Sequence, residues 1–226
     1  MDKRKFYDKK YSSFAALPGY RQEEEYCLRI IKWLKLINCW PEGDHASYLD
    51  AGCGFGIKTH VFSRHFSHSF GIDFSENAIE ICGLLNDSPD NLSFSVKDIE
   101  DFADERYDMI TAFGLSYFNS GDIELLAKSI ALTAKRLLNQ GGILFIGTRT
   151  NYSGKSDTGW HYLTKKELKQ LKNQLKDQLT GAMVEIVSPD NKMKYLNSGN
   201  AIQAAGSLRK SILNKPKDLF IIIKNG

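Results

Sequence analysis

The sequence predicts an α/β fold, a parallel sheet with helices on both faces. Three observations carry this. From Ser47 to Thr148, short apolar runs alternate with longer segments of helical period. The first apolar run ends in a turn with three glycines at alternate positions, Gly52, Gly54 and Gly56. The chain has 226 residues, 42% of them hydrophobic, enough for one buried core without disulfide or metal staples.

Taken in order, "RQEEEY" supplies acids suited to the first turn of a helix. Behind it, Ile30, Ile31, Leu34 and Ile37 recur at helical spacing and predict an amphipathic helix packed on the sheet. "SYLDAG", "SFGIDF", "LSFSVKD", "YDMITAFG" and "GILFIGT" read as strands, rich in β-branched or aromatic residues and separated by turns. Between the last two, Asp122 to Leu138 reads as a helix with Ile123, Leu126, Ile130 and Leu137 on one face, ended by Gly141-Gly142. A polar loop follows from Arg149 to Leu163. Next comes the helix "TKKELKQLKNQLKDQL", with Leu168, Leu171, Leu175 and Leu179 on one stripe and a Thr164–Glu167 capping box at its start. "AMVEIVS" and "DLFIIIKN" would bring the strands to seven. No internal repeat or low-complexity linker interrupts the chain, so one domain over 1–226 is the economical reading.

The net charge of +3 hides an asymmetry: residues 1–154 carry 17 Lys+Arg against 21 Asp+Glu, and residues 155–226 carry 13 against 6. Solvated lysine-rich helix faces account for such a bias in ordinary cases, and a positive rim for an anionic substrate is the sharper reading. The first ten residues are mostly charged, and no apolar run approaches the roughly 18 residues of a membrane span, so a cytoplasmic location is expected. Cys27, Cys39, Cys53 and Cys82 lack CxxC spacing and read as reduced thiols. His60, His65 and His68 have no carboxylate or cysteine to complete a ligand set, so no metal is expected.

In "SYLDAGCGFGIKTH", glycines after a strand let the backbone turn tightly and let a ligand approach main-chain atoms. The dinucleotide pattern G-x-G-x-x-G wants a third glycine where Ile57 stands, so the register is D-x-G-x-G-x-G. Asp73 ends the second strand 21 residues after Gly52, where a carboxylate can accept hydrogen bonds from ribose hydroxyls, and Ser75 is placed to cap the next helix. Asp98 follows the third strand, suited to an exocyclic amine, with Ile99 to cover a ring.

At this point the sequence resembles the class I S-adenosylmethionine-dependent methyltransferase family, over roughly Tyr48 to Thr148. "YLDAGCGFG", "GIDFSENAIEIC", "VKDIEDF", "YDMITAFGLSYF" and "LLNQGGILFIG" match that family's successive motifs in order and approximate spacing. The resemblance implies a Rossmann-like seven-stranded sheet of order 3-2-1-4-5-7-6 with strand 7 antiparallel. It implies S-adenosyl-L-methionine as cofactor and S-adenosyl-L-homocysteine as product. Residues 1–40 would be a helical lid, 47–148 the cofactor-binding core, and 149–226 the acceptor-side loop, helix and last two strands. Asp50 with Gly52, Gly54 and Gly56 would hold the methionine portion, Asp73 the ribose with Phe74 beside it, and Asp98 with Ile99 the adenine. Phe113 and Gly114 would flank the sulfonium end. Without the resemblance, Asp50 reads as a strand end, and Asp73 and Asp98 as cap or turn residues.

The acceptor side is less legible. His161 is the only histidine in the loops expected there, and imidazole suits proton removal near neutrality, so it is the candidate base. Packing beside Trp160 and Tyr162 is the plainer alternative. Tyr11, Arg21, Tyr117 and Arg149 are candidate substrate contacts, with Arg21 also placed to meet a carboxylate and Tyr7, Tyr11 and Tyr20 to close as an aromatic lid. The fourth strand continues into "FGLSYF" rather than the Asn/Asp-Pro-Pro-Tyr/Phe of the family's exocyclic-amine methylases, which lowers nucleic-acid bases as acceptors. The favoured expectation is O-methylation of a small-molecule or glycan-type acceptor, anionic if the basic C-terminal part serves it. An RNA methyltransferase, a non-catalytic cofactor-binding partner protein and, with the glycine spacing against it, a nicotinamide oxidoreductase stay open. Nothing in the sequence sets the oligomeric state.

Overall fold

The structure, a computed structural model, describes residues 19–43, 45–85, 89–103, 105–157, 159–188 and 217–226. The described residues fall into two compact units, one within Met1–Phe113 and Leu137–Ile143, the other within Gly114–Arg136 and Leu144–Gly226.

Among the described residues the first helix of the first unit is α1, Tyr20–Leu36. Cys27, Ile30, Ile31 and Leu34 lie at i, i+3, i+4 and i+7 and are all buried, so one apolar stripe makes the helix amphipathic. Glu23 in its first turn and Lys35 in its last suit the helix dipole. The helix stops where Asn38 takes φ 55°, with the Asn38 and Cys39 amides returning to Lys35 and Leu34 carbonyls. Ile37, expected on the buried stripe, is 37% exposed because it is the C-cap, beyond Leu36, the last helical residue.

Strand β1 (Ser47–Ala51) pairs in parallel with β2 (His68–Asp73) on one side and with β4 (Tyr107–Phe113) on the other, and β2 pairs in parallel with β3 (Leu92–Val96). As the inner strand, β1 is almost wholly buried, as parallel strands covered on both faces are. Its Tyr48 ring stacks on Phe62 and Phe66, with centroids 5.4 and 5.0 Å apart. Between the strands run the short helix α2 (Ile57–Ser63), against which α1 packs, and α3 (Glu76–Leu85). Glu24 of α1 meets Arg64 just after α2 at 2.6 Å, and Glu23 pairs with Lys58.

The second unit contains most of α4 (Ile123–Leu137), with Ile123, Leu126 and Ile130 buried as the periodicity predicts. Asp122 Oδ1 caps it by accepting from the Leu125 amide at 3.0 Å. Strand β5 (Leu138–Thr150) follows with no loop, so Gly141 and Gly142 do not end the helix, as expected from the sequence, but lie inside the strand. They serve a bend there: Gly141 takes φ 74°, and a Cβ on Gly142 would sit 2.9 Å from the Asn139 carbonyl oxygen and 3.0 Å from that of Tyr107.

The expected polar loop is shorter than predicted. After Thr150, β6 (Ser156–Asp157) and β7 (Trp160–His161) form a two-stranded antiparallel ribbon. Helix α5 (Lys165–Gln178) begins with the predicted capping box and buries Leu171 and Leu175, with Leu179 buried just beyond it and Leu168 half-buried. Thr164→Ala should lower stability by about 1 kcal/mol, visible as an earlier urea midpoint, while Thr164→Ser holds it. Strands β8 (Met183–Val187) and β9 (Lys217–Lys224) pair antiparallel, and Phe145 of β5 packs on Phe220 of β9 with centroids 4.8 Å apart.

Among the described residues the main sheet has seven strands, in the order β3-β2-β1-β4-β5-β9-β8. Leaving out the separate β6–β7 ribbon, this is the expected 3-2-1-4-5-7-6.

Candidate functional site

At the carboxyl end of β1 the chain enters the glycine turn. Gly52, Gly54 and Gly56 take φ values of 76°, 54° and 73°, a region that costs an L-residue about 1–2 kcal/mol. The amides of Gly52 and Cys53 both donate to the Ile72 carbonyl, at 2.8 and 2.9 Å, so the turn is tied to the end of β2. Gly56 is the residue from which α2 starts, and the His60 amide donates to its carbonyl at 2.8 Å.

Asp73, one residue beyond Ile72, is bonded to this turn. Its Oδ2 accepts from the Gly54 amide at 3.0 Å and its Oδ1 from the Ser75 amide at 2.9 Å, which fixes the carboxylate at the start of α3. The Gly54 carbonyl accepts from the Cys82 thiol at 3.1 Å. Three sequence-predicted elements, the glycine triplet, Asp73 and the Ser75 helix start, are therefore one hydrogen-bonded cluster. Phe74 beside Asp73 is half-buried.

Asp50 has a different setting. It is 2% exposed, and its two oxygens accept from the Thr59 hydroxyl at 2.7 Å and the Thr111 hydroxyl at 2.8 Å. Thr111 in turn shares a 2.7 Å hydrogen bond with the Tyr48 hydroxyl. Burial pushes the Asp50 carboxyl up, against the two hydroxyl bonds that pull it down. The side chain expected to hold the methionine portion is thus a buried tie between β1, α2 and β4.

Asp98 is exposed, and its Oδ1 accepts from the Glu100 amide at 3.0 Å, a turn-forming bond, while Ile99 is 3% exposed. Phe113, at the end of β4, meets Tyr26 edge-on at 6.4 Å, with the Lys58 ammonium 5.7 Å from its ring centroid. None of the four cysteines is in a disulfide and all are buried, and burial raises the Cys27 thiol to about 12 and the Cys53 thiol well above its ordinary value. Neither is a reactive thiolate near neutrality. Among the described residues no group of three or more His, Cys, Asp or Glu is placed to hold a metal ion, and no helix is long and apolar enough to cross a membrane.

In the second unit, Gly114 takes φ 64° and its amide donates to the Gly147 carbonyl at 2.8 Å. Tyr117 follows in a short 3-10 turn, half-buried and tilted on Phe118 at 5.1 Å. Strand β7 holds His161: its amide donates to Asn119 Oδ1 at 2.8 Å, and the Asn119 amide group donates to its carbonyl at 3.0 Å. The imidazole is 13% exposed, with Nε2 3.1 Å from Glu167 Oε1. Glu167 Oε2 accepts from the Thr164 amide at 2.6 Å. Burial alone would raise the Glu167 carboxyl, but hydrogen bonds from Thr164 and His161 outweigh it and hold the group below its ordinary range.

Sequence reasoning missed the roles of Asn119 and Glu167 around His161. The capping-box spacing exposed one Glu167 oxygen, but nothing local pointed to the other. The two arginines expected as substrate contacts lie at the surface beside carboxylates. Arg21 is 90% exposed and pairs with Glu25 one turn on, and Arg149 is 73% exposed and lies 3.5 Å from Asp218. Tyr7 and Tyr11 lie outside the described residues, as does the Tyr20 side chain.

The sequence model of a methyltransferase-domain family matches residues 42–207. No curated protein matches the chain. Among solved structures, the chain is similar to Haemonchus contortus phosphoethanolamine N-methyltransferase 2 in complex with S-adenosyl-L-methionine, at 14% identity and a TM-score of 0.65, over 100% of this chain and 60% of that one. It therefore spans less than two thirds of that protein. It is also similar to the N-methyltransferase NodS from Bradyrhizobium japonicum WM9 with S-adenosyl-L-homocysteine, at 16% identity and TM-score 0.64, over 100% of this chain and 99% of that one. A third is the geranyl diphosphate C-methyltransferase of Streptomyces coelicolor A3(2), solved with Mg2+, geranyl diphosphate and S-adenosyl-L-homocysteine, at 15% identity and TM-score 0.57, over 87% of this chain and 78% of that one.

Proposed function

The chain belongs to the methyltransferase-domain family, and on that premise we propose that it transfers a methyl group from S-adenosyl-L-methionine to oxygen on a small-molecule or glycan-type acceptor. The observation that carries the reading is the glycine turn, whose three left-handed residues are bonded into one cluster with Asp73. A turn without side chains at those positions suits a ligand lying against its main chain, and the carboxylate beside it suits paired hydroxyls.

In this reading Gly52, Gly54 and Gly56 line the methionine portion, with Asp50 bracing the turn from below through Thr59 and Thr111. Asp73 accepts from the ribose hydroxyls with Phe74 beside it, since a carboxylate accepts up to about four hydrogen bonds. Asp98 and Ile99 meet the adenine, and Phe113 and Gly114 the sulfonium end. When bound, the cofactor supplies an activated methyl group and a good leaving group. The protein then has to align the acceptor and, for a hydroxyl, provide a place for its proton. His161, held by Asn119 and Glu167, supplies that place in this reading.

An anionic acceptor is supported by the exposed Lys165, Lys166, Lys169 and Lys176 of α5. It is supported too by two neighbours named for phosphate-bearing small molecules, phosphoethanolamine and geranyl diphosphate. The test is incubation of the pure protein with methyl-labelled S-adenosyl-L-methionine against sugars, nucleotide sugars, hydroxylated acids and tRNA. Label in a small hydroxylated acceptor is expected, and label in tRNA alone would overturn the reading.

A further inference from the structure

We propose that Glu167 is a positioning residue that fixes His161 as the Nε2–H tautomer, leaving Nδ1 to take the proton of the acceptor hydroxyl. The inference deepens the reading above and rests on methylation at oxygen.

The geometry restrains both partners. Glu167 is fixed at its own end, because Oε2 accepts from the Thr164 amide at 2.6 Å and its amide donates to the Thr164 hydroxyl at 3.1 Å. Only Oε1 is turned to the imidazole, at 3.1 Å. The His161 main chain is held on both polar atoms by the Asn119 side chain. The ring lies against Gly121, where an added Cβ would come within 3.3 Å of Nδ1 and 3.4 Å of Cε1, so a side chain at 121 would press on it. Asn119 and Gly121 belong to the loop that follows Gly114, which the functional reading places at the sulfonium end, and this ties the imidazole to that loop.

The chemistry follows from the donor inventory. An ionised carboxylate has acceptors only, so the hydrogen between Glu167 Oε1 and His161 Nε2 belongs to Nε2. The hydrogen bonds that hold the Glu167 carboxyl below its ordinary range keep it ionised at neutral pH. A neutral imidazole with its proton on Nε2 has a lone pair on Nδ1. In the proton transfer, the acceptor O–H bond breaks, its electron pair stays on oxygen, and the proton moves to Nδ1. The imidazolium so formed faces the Glu167 carboxylate, and the proton later leaves to water.

Glu167→Gln separates this role from helix capping, because glutamine at the same position still completes the capping box. Its amide can donate to Nε2, which then has to accept and forces the proton onto Nδ1. Nitrogen-15 spectra of the full chain without ligand should show His161 with hydrogen on Nε2, and the Glu167→Gln protein should show it on Nδ1 at nearly unchanged melting temperature. With the acceptor found in the labelling panel, kcat should fall about 10²–10⁴-fold with KM little changed. An Nδ1–H tautomer in the unaltered chain, or a Glu167→Gln protein with full kcat, would overturn the proposal. Failure of the underlying reading looks different: the labelling panel would put no methyl label on any hydroxylated acceptor, whatever the tautomer of His161.

Discussion

Asp73→Ala is expected to remove nearly all of the thermal stabilisation that S-adenosyl-L-homocysteine gives the unaltered protein. A ligand at 100 times its Kd stabilises by about 2.7 kcal/mol. For a chain of this size each kcal/mol is worth about 2–4 °C, so a shift of roughly 5–10 °C should appear. Two hydroxyl contacts to a charged acceptor contribute about 1.5–3 kcal/mol each, so the pair is worth at least about 3 kcal/mol and its loss weakens binding by about 10²-fold or more. At the same ligand concentration the shift then shrinks to roughly 1–2 °C or less. The substitution also removes the acceptor of the Gly54 and Ser75 amides, so the turn loses its fixed conformation as well. Asp73→Asn, which keeps an oxygen for one of those amides, should retain part of the shift. Differential scanning fluorimetry with and without ligand reads both, and an undiminished shift in the alanine protein would remove Asp73 from the ribose assignment. NAD in place of S-adenosyl-L-homocysteine should give no shift with the unaltered protein, because Ile57 begins α2 where a dinucleotide turn needs its third glycine.

What the sequence disclosed follows from how local each signal is. The strand order and the glycine turn were legible because each depends on residues within a few positions, or on a recurring order of motifs. The Thr164–Glu167 capping box was legible for the same reason, its partners being three residues apart. The clamp of Asn119 on His161 spans 42 residues, and no periodicity announces it. The second contact of Glu167 depends on the β6–β7 ribbon turning His161 back toward the helix start, where only a polar loop can be read from local residues. Arg21 and Arg149, read as candidate substrate contacts, show the opposite case, side chains whose surface neighbours the sequence reading passed over. Long exposed cations near an expected site invite a ligand partner, yet each lies beside a nearby carboxylate at the surface. Gly141-Gly142 misled because a glycine pair after a helical stripe resembles a stop, whereas here the close carbonyls of Asn139 and Tyr107 call for glycine inside the strand.

Asp50 carries the second large prediction, and it has the opposite character to the first: its loss should damage the fold more than the affinity. Both oxygens are engaged by hydroxyls, and at 2% exposure no water replaces them. Asp50→Ala leaves the Thr59 and Thr111 hydroxyls buried without their acceptor, at about 1–3 kcal/mol each. Thr111 keeps its bond to Tyr48, which offsets part of this, so a net loss of about 2–5 kcal/mol is expected from urea unfolding. Asp50→Asn, with one acceptor oxygen and similar volume, should cost less. The pH dependence has a definite sign. Burial raises the folded carboxyl above its unfolded value, so the folded state keeps the proton longer. The stabilisation from this group is then full below the ordinary aspartate range and is lost as pH rises through the raised value. Asp50→Asn cannot ionise and should lack that decline, so its stability relative to the unaltered protein improves as pH rises from about 4 toward neutrality. Once corrected for the fraction folded, its affinity for S-adenosyl-L-homocysteine should stay within about 10-fold, since a change of 1.4 kcal/mol covers the adjustment expected of a turn held by Ile72 and Asp73. An Asp50→Asn protein as stable as the unaltered chain but unable to bind would instead place this carboxylate on the ligand.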